Sequence, residues 1–334
     1  MKHVRHQYIE RHTGRIVDEA LYGDRIVNLL YSGEMEHPHA LLRAVSSPWM
    51  SELLGLLHFS RKACGGARRA RRLVAASGID MGECLDKPGG YRSLLDIFER
   101  KIRYRECRPM PEEERVVVSP ADSRMLAGSF SRTSALFIKG KFFEREELLG
   151  KEEWLEAFEE GDFAVFRLTP EKYHYNHTPV AGKVEDIYEI SGIYHSCNPG
   201  AVISVATPYS KNKRVVTIID TDVPGGTGAG LVAMIEVVAL MIGEIVQCYS
   251  EEGYEAPRPL SPGMFVKRGL PKSLYRPGSS TDVLLFEKGR VRFFEDLIRN
   301  MNRPGVRSRF SLGFGRPLAE TEVRVRSPIG IAGR

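Results

Sequence analysis

Apolar residues along the first 110 positions recur every three or four places. In Ala20–Tyr31 and Ser51–Phe59 Leu, Ile and Val keep that spacing, and Ser77–Gly78 and Pro88–Gly89–Gly90 supply turn signals. The pattern predicts a mostly helical region over residues 1–110. From about residue 111 short β-branched runs take over: Val116–Val118, Ala201–Ala206, Val215–Ile219, Val283–Phe286 and Val291–Phe294, each bounded by Gly, Pro, Asn or Asp. They predict a strand-rich region over 111–334. Glu144–Glu160 reads as an acidic helical island with Leu148, Leu149, Trp154, Leu155 and Phe158 as its apolar stripe. The expected class is α+β, a helical N-terminal region packed on a β-rich, barrel- or sandwich-like core.

A chain of 334 residues, 42% apolar and 27% charged, is long enough for one large domain or two ordinary ones. The longest apolar stretch, 230–247, carries Glu236 and Glu244, so no segment reads as a membrane span. Met1 to Arg15 is dense in His, Arg and Glu, which argues against a secretory signal. Five scattered cysteines without a CxxC pair support neither a disulfide framework nor a zinc ribbon.

The net charge of +5 is unevenly spread. Arg61, Lys62, Arg68, Arg69, Arg71 and Arg72 cluster without an acid, directly after the apolar segment Pro48–Phe59 with Trp49 near its start. An apolar helix edged by Trp and followed by arginines suits an anionic lipid interface. A core helix with a solvated basic turn fits the same pattern. Nucleic acid is disfavoured, because no aromatic-interleaved basic strand or finger spacing accompanies the arginines.

Pro224–Gly230 fails as a phosphate loop, since Leu231 stands where G-x-G-x-x-G needs glycine; it reads as a hairpin loop. His3, His6, His12, His37 and His39 lack partners at ligand spacing and read as surface histidines, with no metal site. Tyr173–His174–Tyr175–Asn176–His177–Thr178–Pro179 places two histidines three apart before a Pro turn, a pattern that alone is structural or metal-binding. In Pro277–Phe286 small hydroxyl residues sit on a Gly turn before an apolar strand. A serine so placed can attack the preceding carbonyl once a base takes its proton.

Together these segments resemble the phosphatidylserine decarboxylase proenzymes. Tyr8–Gly14 is similar to the family's Y-x-x-R-x-T-G, and Tyr91–Lys101 to its S-F-N-D-F-F-x-R-K. Val118–Asp122 resembles S-P-x-D-G, Ile138–Phe142 with Leu148–Gly150 resembles I-K-G-x-x-F…L-L-G, and Phe166–Pro179 resembles R-L-x-P-x-x-Y-H-R-x-H-x-P. Gly278–Ser279–Ser280–Thr281 falls on G-G-S-T. The resemblance implies self-cleavage between Ser279 and Ser280, giving chains 1–279 and 280–334 and turning Ser280 into a covalent pyruvoyl cofactor. It implies that Asp122 orients His177, that His177 deprotonates Ser280, and that His174 serves decarboxylation, by meeting the carboxylate or by delivering the proton. The pyruvoyl carbonyl would take the amine of phosphatidylserine and accept the electron pair as carbon dioxide leaves, yielding phosphatidylethanolamine. A homodimer, peripheral on the cytoplasmic membrane face and docked by Trp49, Arg68, Arg69, Arg71 and Arg72, is implied as well.

The chain also departs from that pattern. Ser279 replaces a Gly, leaving two adjacent serines of which strand register favours Ser280 as nucleophile. Asp282 stands where the family has an apolar residue, Ser123 and Val238 replace glycines, and Leu270–Tyr275 departs from x-E-x-G-x-F. These differences also fit a pyruvoyl decarboxylase of another amino-acid-like substrate, or an uncleaved lipid-binding relative.

Overall fold

The computed structural model describes residues 5–21, 66–130, 143–193, 195–204, 208–238, 244–277 and 280–333. Trp49, Arg61, Lys62, Ser279, His3, His37 and His39 lie outside them, as do Ser51–Phe59 and most of Ala20–Tyr31.

Among the described residues sixteen strands run in chain order through β1 (Gln7–Glu10), β2 (Ile16–Asp18), β3 (Val116–Val118), β4 (Ser123–Ser129), β5 (Asp162–Leu168), β6 (Tyr175–His177), β7 (Gly182–Ile190) and β8 (Arg214–Asp220). They continue through β9 (Leu231–Val238), β10 (Ile245–Gln247), β11 (Phe265–Val266), β12 (Pro271–Tyr275), β13 (Ser280–Phe286), β14 (Val291–Phe293), β15 (Glu320–Val323) and β16 (Pro328–Ala332). Ten form one sheet in the order β11-β7-β8-β9-β13-β5-β4-β15-β1-β2, and two three-stranded sheets, β10-β12-β6 and β14-β16-β3, accompany it. The ten-stranded sheet is open, with β11 and β2 as its edges, so the barrel-like expectation gives way to open sheets among the described residues.

The apolar run of β13 is central because both its faces are covered. Val283 and Leu285 enter one core with Val165, Ile235 and Phe163, while Leu284 and Phe286 enter another with Met234, Phe166 and Ala164. β13 pairs antiparallel with β5 and β9 along its whole length, placing Ser280 between Leu168 and Val238, and Asp282 between Phe166 and Glu236. Ser280 and Asp282 therefore share the face of Leu284, and Thr281 lies on the other.

Two expectations change. The helical reading of residues 1–110 fails at its start, where β1 and β2 form a hairpin and β1 joins β15 in parallel. Gly14, at φ +67°, makes the turn, and Tyr8 and Ile9 are buried. The described helices of this region are Gly66–Ser77, Leu94–Phe98 and Tyr104–Cys107. The run Ala201–Ala206, read as a strand, begins inside the helix Pro199–Ser204. The Asn198 side chain accepts from the Gly200 amide at 2.8 Å, and Pro199 brings the φ of a first helical turn, so local capping overrides β propensity. The acidic island shortens to Arg145–Leu149 and a 3-10 turn at Glu152–Trp154, still burying Leu148, Leu149 and Phe158. Gly225–Gly230 is the β8–β9 hairpin loop, with Gly225, Gly228 and Gly230 at positive φ.

Candidate active site

The site assembles where three chain segments meet beside the start of β13. β6 pairs with β12 at Pro271↔His177 and Leu274↔Tyr175. The His177 amide donates to Pro120 O at 2.8 Å, which draws the turn before Asp122 against the histidine strand. Tyr275 N donates to His174 O at 3.0 Å. Ala121, Leu168, Val238 and Tyr275 then pack together around the Ser280 position.

Ser280 is 1% exposed, and its Oγ has no hydrogen-bond partner. A buried hydroxyl left unpaired carries a desolvation cost, which Ser280 shares with Thr217, Thr281, Ser308 and Thr321. His174 is equally buried; neither ring nitrogen makes a well-formed hydrogen bond, and the Lys172 backbone nearby favours its protonated form. The Phe98 ring packs on it with centroids 4.5 Å apart. Phe98 is placed by the helix Leu94–Phe98, whose capping box pairs Ser93 and Asp96: Asp96 N donates to Ser93 Oγ at 3.1 Å and Ser93 N to Asp96 Oδ2 at 2.9 Å. Burial, reinforced by the Arg100 charge, lowers His174 to about 3.

His177 is fully buried, and both its ring nitrogens are engaged: Nδ1 with Gly269 O and Nε2 with the Tyr173 hydroxyl, each at 3.0 Å. Gly269 has φ +75°, and a Cβ there would come within 2.4 Å of Met110 Sδ, so glycine is what lets this carbonyl reach the ring. The Tyr104 ring stands edge-on to His177 at 4.8 Å, with the Arg326 guanidinium 4.9 Å from the Tyr104 centroid. Burial lowers His177 to about 3, the Gly269 bond and the Asp122 charge opposing it and Arg326 and Arg108 adding to it. Both imidazoles are neutral near pH 7.

Asp122 does not hydrogen-bond to His177. Its carboxylate takes Arg108 Nε at 3.0 Å and Nη2 at 2.8 Å, and accepts the Val325 amide at 2.8 Å. Arg108 reaches on to both Glu83 oxygens at 2.8 Å. Burial would raise Asp122, but Arg108 outweighs it and holds the carboxyl below its usual range. Asp122 remains close enough that its charge favours the protonated form of each histidine.

Beneath Ser280 lies a second buried polar group. The Tyr275 hydroxyl donates to Asp282 Oδ1 at 2.7 Å, while Asp282 Oδ2 has no partner. Burial, with Glu236 directly opposite, raises Asp282 well above the usual carboxyl range. Glu236 is bound by Lys272 Nζ at 2.6 Å, both side chains inaccessible, and by Ser273, Asn176 and Gln247. The sequence departures at Ser273, Tyr275, Val238 and Asp282 thus gather in one place, with Lys272 between them. Arg108 and the Tyr173–Tyr254 contact had no signal beyond the motif that contains Tyr173, because charge pairing between distant segments leaves no spacing pattern.

His6 corrects the surface reading: it is buried, and its Nε2 lies 2.8 Å from Glu320. His6, Glu19 and Glu320 offer ligand atoms within 4.8 Å of one another. The Arg167 guanidinium already bridges both carboxylates at 2.6 Å and supplies the cation there. Arg68, Arg69, Arg71 and Arg72 are exposed on the helix Gly66–Ser77. Among the described residues no helix is long and apolar enough to cross a membrane.

The family model for phosphatidylserine decarboxylase matches residues 94–312. The chain belongs to that family. It is 31% identical to a phosphatidylserine decarboxylase proenzyme of Fusobacterium nucleatum over 88% of this chain and 91% of that one. A proenzyme of the same name from Chlamydia trachomatis serovar D is 30% identical, with 92% and 95% covered. One from Clostridium tetani is 27% identical, with 89% and 93% covered.

Proposed function

We propose that this family member decarboxylates phosphatidylserine to phosphatidylethanolamine, after splitting its own chain between Ser279 and Ser280 and converting Ser280 to a pyruvoyl group. The observation that carries this reading is the buried Ser280 hydroxyl, without a hydrogen-bond partner at the start of β13, in a chain that belongs to the decarboxylase family. The residues fit the group. A small carbonyl formed from Ser280 would take the place of a buried hydroxyl that has no hydrogen-bond partner to lose. When formed, the pyruvoyl supplies an electron sink for loss of carbon dioxide.

The chain's own residues do the rest. His177, neutral with a proton on Nδ1, offers Nε2 as the base for the Ser280 proton. Asp122 raises the proton affinity of both histidines through its charge rather than a direct bond. His174, buried and without a well-formed side-chain hydrogen bond, is suited to hold a proton for the decarboxylated carbon. Because β13 is hydrogen-bonded on both sides, the piece 280–334 would stay interleaved with the remainder after cleavage. The exposed arginines of Gly66–Ser77 are the proposed contact with anionic lipid, and a homodimer is the proposed assembly.

Intact mass of the purified protein tests the reading. Two pieces, the smaller spanning 280–334 and reducible by borohydride at its N-terminus, are expected; one intact chain of 37.6 kDa would refute it. Ser280→Ala should abolish splitting, and His177→Ala should leave the precursor whole. His174→Ala should split normally yet lose most decarboxylation. Replacing Arg68, Arg69, Arg71 and Arg72 by Glu should weaken sedimentation with phosphatidylserine-containing vesicles and leave splitting intact.

A further inference from the structure

The base assigned to Ser280 is already occupied. Gly269 O can only accept, so His177 Nδ1 carries the ring proton and Nε2 is left with its lone pair. The Tyr173 hydroxyl, 3.0 Å away, therefore donates to Nε2. Burial keeps the ring neutral, which excludes the reverse polarity. Tyr173 is 1% exposed, so water offers its hydroxyl no alternative.

One alternative stands beside it. Tyr254 Oη lies 2.7 Å from Tyr173 Oη, 3.0 Å from Ile102 O, and 3.2 Å from the Ile102 amide that donates to it. Two hydroxyl protons thus face three acceptors: His177 Nε2, Ile102 O, and the neighbouring phenol oxygen. With Tyr173 donating to His177, the base is blocked. With Tyr173 donating to Tyr254, and Tyr254 donating to Ile102 O, the Tyr254 oxygen has its full complement and Nε2 is free. The two arrangements differ by hydroxyl rotation alone. Stacking at 5.5 Å against Tyr175, which itself meets Tyr254 edge-on at 5.0 Å, holds the phenol rings in place.

We propose that Tyr173 is a brake on self-cleavage and Tyr254 its release: Tyr173 holds the His177 lone pair at rest and surrenders it when its hydroxyl turns to Tyr254. The proposal rests on the processing reading above. Once free, Nε2 takes the Ser280 Oγ proton as Oγ bonds to the carbonyl carbon of residue 279. The bond from that carbon to the Ser280 nitrogen breaks, and the nitrogen receives the same proton back. The peptide becomes an ester with no co-reactant. Tyr173 and Tyr254 act through His177 and are positioning residues.

The test follows full-length chain made in a cell-free translation system, with conversion of intact chain into its two pieces timed for each variant. Tyr173→Phe should split about two- to tenfold faster, since one net hydrogen bond no longer competes for the base. Tyr254→Phe should split slower by a similar factor, because Tyr173 loses its other acceptor. The double variant should behave as Tyr173→Phe alone. A purely packing role would slow both single variants and add in the double, which would overturn the proposal. In intact Ser280→Ala chain, the 15N shift of His177 Nε2 should move toward that of a free imidazole lone pair with Tyr173→Phe and away from it with Tyr254→Phe. Unchanged shifts would also overturn it. A wild-type chain that never splits refutes the processing reading and the brake together, whereas a chain that splits but is slowed by both substitutions refutes the brake alone.

Discussion

The two faces of the ten-stranded sheet carry buried charge in different ways. On the face of Thr281, Arg167 bridges Glu19 and Glu320, His6 bonds Glu320, and Arg124 and Lys172 both reach Glu322. Each of these carboxylates has a cation, and Arg167 holds Glu320 down to about 2 against the burial that would raise it. On the face of Ser280 the pairing is incomplete. Lys272 satisfies Glu236, but Asp282 keeps one free oxygen, as do Asn176 and Ser280. The same strands therefore build an ion network in which each carboxylate has its cation, although Arg124 Nε and Thr281 Oγ1 make no well-formed hydrogen bond, and, behind it, a patch where a carboxylate oxygen itself is left without a partner. Saturation stabilises and rigidifies; unpaired polar groups are retained where chemistry needs them.

The contrast breaks most clearly at Arg167. Arg167→Leu leaves two buried carboxylates without their cation, and urea denaturation should show a loss of about 3–5 kcal/mol. Lys272→Met is expected to cost less, about 3 kcal/mol, because Ser273, Asn176 and Gln247 still bind Glu236, and adding Glu236→Gln should restore much of it. If Arg167→Leu proved the milder of the two, the ranking of the faces would be wrong.

Acid separates them further. His174 and His177 have folded values near 3, below the unfolded value of about 6.5, so the unfolded chain binds more protons between those limits. Their contribution is complete above about 6.5 and falls away as the pH drops toward 3. Denaturation midpoints measured across that window should decline, and His174→Gln should flatten the decline. Asp282 runs the other way: its carboxyl is raised in the fold, so its burial costs progressively more as pH rises above the ordinary carboxyl range. Asp282→Asn should keep the Tyr275 bond and gain about 1 kcal/mol or less near pH 7, the smallest effect of the set.

Much of this arrangement was legible along the chain. β13 was visible because a run buried on both faces is continuously apolar, and the β8–β9 hairpin because its glycines have no other use at positive φ. The YHxxH segment and Ser280 were marked by residue type and order. Ala201–Ala206 was misread, since a β-branched run is ambiguous until the cap at Asn198 is weighed. His6 was misread because nothing near it in sequence reveals Glu320, more than 300 positions on.

The sequence by itself determined the family and the strand-rich character of 111–334, and it singled out the groups proposed to carry the chemistry, because these depend on residue type and local order. Only the tertiary structure decided that Arg108 rather than His177 holds Asp122, that Tyr173 caps His177, and that the departures at Ser273, Tyr275 and Asp282 join Lys272 and Glu236 in one buried patch. Those outcomes follow from electrostatics and hydrogen bonding across distant segments, where the nearest partner in space wins and sequence separation plays no part.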